Sequence, residues 1–172
     1  MTVLVAYASK HGSTAEIAEA VARGLRDAHI DAECLDVHAV KGLGSYDAVV
    51  LGSAVYIKRW RGEARRFLHR HADELAALPF WIFSSGPVGA PEEDPDPEWL
   101  EPSKVVAEAE RLGVRGHAVF GGRLSEQGGG FPARAMARNI PEEFHDRRDW
   151  DEIDSWTRSI AAQLRATESK VT

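Results

Sequence analysis

Short uninterrupted apolar runs alternate along the chain with stretches whose apolar residues recur every three or four positions. That is the pattern of βα units wound around a parallel sheet. Val3 to Ala8 is a continuous apolar run, as a strand covered by helices on both faces requires. From Ser13 to about Ala28, Ile17, Val21 and Leu25 fall on one helical face, and Ser13 with Glu16 stands in the S-x-x-E relation of a capping box. Ala32 to Val37 predicts a weaker second strand and Asp47 to Gly52 a buried third. Glu63 to Leu78 reads as one helix with Phe67, Leu68, Leu75 and Leu78 inward, stopped by Pro79. Phe80 to Phe83 predicts a fourth strand, Ser103 to Leu112 a short helix, and His117 to Phe120 a fifth strand. Trp150 to Leu164 closes the series as an amphipathic helix through Ile153, Trp156, Ile160 and Leu164. Val88 to Pro102, rich in Pro and acids, and Gly121 to Arg148, Gly-rich and then basic, carry no regular pattern.

Strands and helices in this alternation predict a three-layer α/β sandwich. Its five-stranded parallel sheet has the order 2-1-3-4-5, with helices on both faces and residues 1–172 forming one domain. At 172 residues such a fold buries roughly 70% of its unfolded surface and needs no staple. Cys34 is the only cysteine, which excludes an intrachain disulfide and a thiolate metal cluster. It is expected to be a buried small hydrophobe. His69 and His71 lie two apart on one helix, on different sides, so no metal site is expected there. Trp81, Trp150 and Trp156 are expected to be core packing. A net charge of −6 disfavours a nucleic-acid partner. The opening run reads as a strand and not as a leader, and no apolar run is long enough to cross a membrane. A cytoplasmic location is the expectation.

Candidate chemistry concentrates in the first βα turn, Ser9-Lys10-His11-Gly12-Ser13-Thr14. Hydroxyls and backbone N–H groups at a helix N-terminus can ring a phosphate, and the dipole there favours an anion. Gly12 permits close backbone approach or an unusual dihedral, and Lys10 adds a cation nearby. Other phosphate-loop classes fail. No G-x-x-x-x-G-K-[ST] is present, and no G-x-G-x-x-G follows the first strand. A phospho-receiver needs an Asp after the third strand, where Gly52-Ser53-Ala54 stands. No strand–elbow–helix presents a nucleophilic serine.

Val5 to Ala18, through Ser9-Lys10-His11-Gly12-Ser13-Thr14, resembles the FMN-phosphate signature of the flavodoxin superfamily, departing at Ala6, where a larger apolar residue is usual. The stretches Tyr46 to Tyr56, Phe67 to His71 and Arg148 to Asp151 are similar to one branch, the menaquinone-dependent protoporphyrinogen dehydrogenase-like flavodoxin proteins. The resemblance implies FMN as cofactor, with its phosphate held by Ser9, Lys10, His11, Gly12, Ser13 and Thr14. Ser53, Ala54, Val55 and Tyr56 would flank one side of the isoalloxazine, Tyr56 as a stacking ring. Ser84, Ser85, Gly86, Pro87 and Val88 would meet the other side with backbone groups. Gly121, Gly122 and Arg123 are weaker candidates, and pairing with a carboxylate is the alternative for Arg123.

With a flavin carrying the chemistry, no catalytic side chain is required. The branch implies an oxidoreductase passing electrons from a small reduced substrate to a quinone, with peripheral membrane contact. A carrier between redox partner proteins, and the same fold holding a deazaflavin or no flavin, are the alternatives. Gly122 to Arg148, with five Arg against three Glu and one Asp and with Phe131, Met136 and Ile140 interspersed, is neither strongly basic nor strongly apolar and departs from the long basic and apolar insert of the quinone-dependent branch. Glu92, Glu93, Asp94, Asp96, Glu98 and Glu101 form an acidic stretch expected to border the flavin.

Overall fold

In the computed structural model, which describes residues 1–56, 59–86, 102–123 and 145–169, the first strand is central. β1 (Thr2–Ala8) leads through α1 (Ser13–Asp27) to β2 (Asp31–Asp36), which pairs parallel along one side of it. The chain then crosses to the other side as β3 (Ala48–Tyr56), also parallel to β1. A two-residue strand, β4 (Arg59–Trp60), turns back antiparallel on the end of β3. Then follow α2 (Gly62–Arg70), α3 (Ala72–Ala77), β5 (Phe80–Ser85), α4 (Ser103–Arg111), β6 (His117–Phe120) and α5 (Trp150–Glu168). The sheet order β2-β1-β3-β5-β6 is the expected 2-1-3-4-5 order, with β4 added off the path.

Alternation along the strands sends side chains into two cores. Val3, Val5, Val50, Trp81 and Phe83 face Ile17, Val21 and Leu25 of α1 and Ile153, Ile160 and Leu164 of α5. Leu4, Val49, Leu51, Phe80 and Ile82 face Phe67 and Leu68 of α2, Leu75 of α3 and Val105 of α4. Two glycines are required by close approach. A Cβ at Gly52 would stand 2.0 Å from Phe83 Cζ, so the tip of that ring occupies the space a side chain on β3 would need. A Cβ at Gly24 would come within 2.9 Å of Thr157 Cγ2, where α1 and α5 cross.

Several expectations are corrected. Residues 63–78 form two helices because His71 turns inward, 7% exposed, and its ring packs on Phe67 at 4.6 Å while Nδ1 lies 2.7 Å from Glu74. The third strand continues past Gly52 to Tyr56 because β4 supplies antiparallel partners there. The fourth strand runs beyond Phe83 to Ser85, paired with Ala54 and Phe120. Trp150 is not core: it heads α5 at 44% exposure, with the Arg148 guanidinium 4.7 Å from its ring centroid. Cys34 lies on the edge strand β2 and is half-buried, not buried. Among the described residues no helix is long and apolar enough to cross a membrane.

Candidate cofactor site at the strand ends

The register places Ala8 of β1 beside Ser53 of β3, Ser53 beside Ser84 of β5, and Ser85 beside Phe120 of β6. The carboxyl ends of four strands therefore form one edge. Strand order reverses there between β1 and β3, the position where open α/β sheets bind ligands.

At the end of β1, the bend Ser9–Gly12 is open: Lys10 is exposed, and Ser9, His11 and Gly12 are partly so. Gly12 is the N-cap of α1 with φ +88°, a left-handed conformation that disfavours any side chain. Its N–H donates to Ser9 Oγ at 3.1 Å, which closes the turn. The expected capping box is absent. Gly12 supplies no side chain, and among the described residues no side-chain hydrogen bond caps the helix. Ser13 lies inside the helix, with its Oγ accepting from the Arg123 N–H at 3.1 Å. Glu16, whose Oε1 stays within 4.0 Å of where a Gly12 Cβ would stand, is paired with Arg123 Nη2 at 2.9 Å and with Arg148. First-turn amides have no intrahelical acceptor, so an uncapped end opposite an open bend is a fit for an anion such as the phosphate of FMN. Thr14 is buried, 1% exposed, directly behind that end.

The other expected contacts are placed differently from one another. Ser53 and Ser84 are fully buried and their hydroxyls serve the scaffold. Ser53 Oγ accepts from the Arg61 N–H at 3.1 Å and donates to the Ala54 carbonyl at 3.0 Å. Ser84 Oγ accepts from Trp60 Nε1–H at 2.9 Å and lies 3.1 Å from His117 Nε2. Ala54 and Ser85 are buried, and half-buried Val55 pairs with Trp60. Tyr56 pairs with Arg59, and its side chain, the expected stacking ring, lies outside the described residues. Gly86 takes φ +126° and gives its N–H to the Phe120 carbonyl, so this amide is not among the donors left for a flavin edge. Pro87, Val88 and the acidic stretch from Glu92 to Glu101 lie outside the described residues, as does the segment 124–144.

Sequence reasoning missed the part played by the chain after β6. Arg123 bridges antiparallel to Asp146, and the Arg147 N–H donates to the Gly122 carbonyl. Arg148, its side chain 4% exposed, joins Asp146 at 2.5 Å to Glu16. The Asp146 carboxyl is held below the usual range, first by the hydrogen bond from Arg148 and against a smaller desolvation effect. Arg123 is thus a carboxylate partner standing at the first turn of α1. Arg148 carried a signal only through its place in the Arg148 to Asp151 stretch.

A groove of about 420 Å3 opens along the flank of α1 and is lined by Tyr7, Ala15, Glu16, Glu19, Arg23, Cys34 and Trp150. Burial first, then the Glu19 charge, pushes the Cys34 thiol up to about 12. That thiol is a poor nucleophile and ligand at neutral pH.

Comparison with known proteins agrees with this geometry. Residues 4–151 match the flavodoxin domain family. An 86-residue segment is 28% identical to the protoporphyrinogen IX dehydrogenase [quinone] of Escherichia coli K12, covering 49% of this chain and 48% of that protein, so the match spans about half of each. A flavodoxin from the domain Archaea superposes over 96% of this chain and 99% of its own, with a TM-score of 0.63 at 17% identity. The rubredoxin oxygen:oxidoreductase of Desulfovibrio gigas superposes over 96% of this chain and 36% of its own, with a TM-score of 0.61 at 16% identity. These two likenesses concern the fold. The chain belongs to the flavodoxin domain family, and its cofactor is FMN.

Proposed function

We propose that residues 1–172 act as one flavodoxin-like domain, an FMN-dependent oxidoreductase that passes electrons from a small reduced substrate to a quinone or similar acceptor. The observation that carries the flavin site is the uncapped, Gly12-headed start of α1 facing an open bend at the β1/β3 switch point. Ser9, Lys10, His11, Gly12, Ser13 and Thr14 hold the phosphate. Ser13 accepts from Arg123 N–H and keeps its own proton to donate to a phosphate oxygen. Residues 53–56 and 84–88 receive the ring from its two sides. Bound flavin accepts and releases electrons singly or in pairs. The protein orients it, excludes water from its inner face and supplies the anion pocket.

Quinone as acceptor is supported by the partial likeness to the Escherichia coli dehydrogenase, whose name specifies one. The chain works in the cytoplasm and reaches a membrane-held acceptor by peripheral contact. The purified protein is expected to be yellow, or to become yellow with FMN, with quenched flavin fluorescence. A colourless protein that leaves FMN fluorescence unchanged overturns the site. Anaerobic reoxidation of the reduced flavoprotein by menaquinone analogues, with and without protoporphyrinogen, tests the reaction. Absence of turnover with any quinone removes the oxidoreductase reading and leaves a carrier between redox proteins.

A further inference from the structure

Two loops are proposed above to receive the flavin ring, and a buried polar chain connects them. The Val55–Trp60 pair closes the hairpin on β3, and the hairpin is fixed at its root by Arg61 N–H donating to Ser53 Oγ at 3.1 Å. From that root Trp60, 2% exposed, reaches across to β5, where its Nε1–H donates to Ser84 Oγ at 2.9 Å. Ser84 is 0% exposed and lies immediately before Ser85 and Gly86, the exit of β5. Its hydroxyl also contacts His117 Nε2 of β6 at 3.1 Å. An indole is a donor only, while a hydroxyl has two lone pairs and one proton, so Ser84 satisfies Trp60 and still has its proton for the imidazole. The two exits also approach as backbone: a Cβ at Gly86 would stand 3.5 Å from the Val55 carbonyl oxygen.

Resting on the flavin reading, we propose that the Ser84–Trp60 hydrogen bond, backed by His117, is the positioning device that sets the separation between the β3–β4 hairpin and the exit of β5, and thereby how the isoalloxazine ring is held. Neither side chain touches the flavin. They are positioning residues, acting through the backbone of residues 55–56 and 85–86. A buried polar pair suits this purpose because an apolar contact at the same place fixes distance loosely, whereas an indole N–H in a dry site donates to one partner in one geometry. The phosphate loop belongs to β1 and α1 and stands outside this chain of bonds.

The test separates ring from phosphate. Ser84→Ala and Trp60→Phe, which keeps the ring and removes the donor, are each expected to raise the Kd for FMN about tenfold. Each is also expected to change the ratio of the Kd for oxidised and reduced FMN at least about threefold, while inorganic phosphate competes at unchanged concentration. The double variant is expected to be no worse than Ser84→Ala alone, since that substitution already removes the bond Trp60→Phe deletes. Ser84→Thr, which restores the hydroxyl, is expected to return the oxidised-to-reduced ratio to that of the original chain. Additive losses in the double variant, or an unchanged ratio in both singles, overturn the proposal. Melting of the FMN-free variants identifies any that has not folded, and Trp60→Phe then decides alone. If the original chain binds no FMN, the flavin reading itself fails. If it binds FMN while both singles bind it identically, only the positioning inference falls.

Discussion

The Glu16 carboxylate accepts from the Arg123 guanidinium at 2.9 Å across 107 residues of sequence. Through Arg148 it is linked to Asp146 as well, so the first turn of α1 is tied to both strands of the bridge that follows β6.

This network predicts an acid-sensitive stability. The Asp146 carboxyl is depressed in the folded protein, so on acidification the unfolded chain takes up the proton first. The contribution of Asp146 is therefore full above the ordinary aspartate range, about pH 4, and is lost as pH falls through its lower folded value. Thermal melting followed from about pH 7 to about pH 3 is expected to show a shallower acid limb in Asp146→Asn than in the original chain. Parallel curves would remove Asp146 from the account.

The phosphate bend makes a second prediction. Gly12→Ala forces a side chain into φ +88° and is expected to cost about 1–2 kcal/mol in urea unfolding. Ser9→Ala and Thr14→Val are each expected to weaken FMN by about 1–3 kcal/mol for a lost buried partner. Titration of flavin fluorescence checks both, and unchanged affinity in the two together would withdraw the phosphate assignment.

Gly52 provides a purely mechanical test. The Cβ of Gly52→Ala would meet three atoms of the Phe83 ring at 2.0 to 2.6 Å, and nothing at that point is the loose end of a flexible chain. Overpacking of this kind costs about 1–3 kcal/mol, occasionally more. Phe83→Leu in the same background is expected to recover part of the loss in denaturant midpoint.

Cys34 is expected to be slow toward thiol reagents. With its thiol raised to about 12, its thiolate fraction at mildly alkaline pH lies far below that of an ordinary cysteine. Disulfide-exchange labelling of the native protein should lag that of the urea-unfolded chain, and equal rates would contradict the burial described here.

The sheet was legible because continuous apolar runs such as Val3 to Ala8 and Asp47 to Gly52 admit few other readings, and right-handed crossovers then leave little choice of order. The Gly12 bend at the head of α1 was legible through its place between strand and helix. The capping box failed for a physical reason: the serine that fits its spacing is Ser13, but the residue that leaves the helical conformation is Gly12. Glu16 is then free to hold two arginines whose positions depend on the return of the chain from β6. Trp60 had no local signal either, since the side chain that fixes it, Ser84, lies 24 residues away on another strand. Trp150 shows the limit of helical periodicity, which extends a stripe to a helix end without knowing where the core stops.

The crossing of α1 and α5, tight enough that Gly24 has no room for a methyl group beside Thr157, has a consequence for biosynthesis. The apolar side of α1 leaves the ribosome before its cover, which is then still about a hundred codons or more from translation. Until residues 150–168 are released, Ile17, Val21 and Leu25 have only the sheet to shelter them. A nascent chain of this kind is expected to spend its synthesis in need of a chaperone, and to close only when its final helix docks.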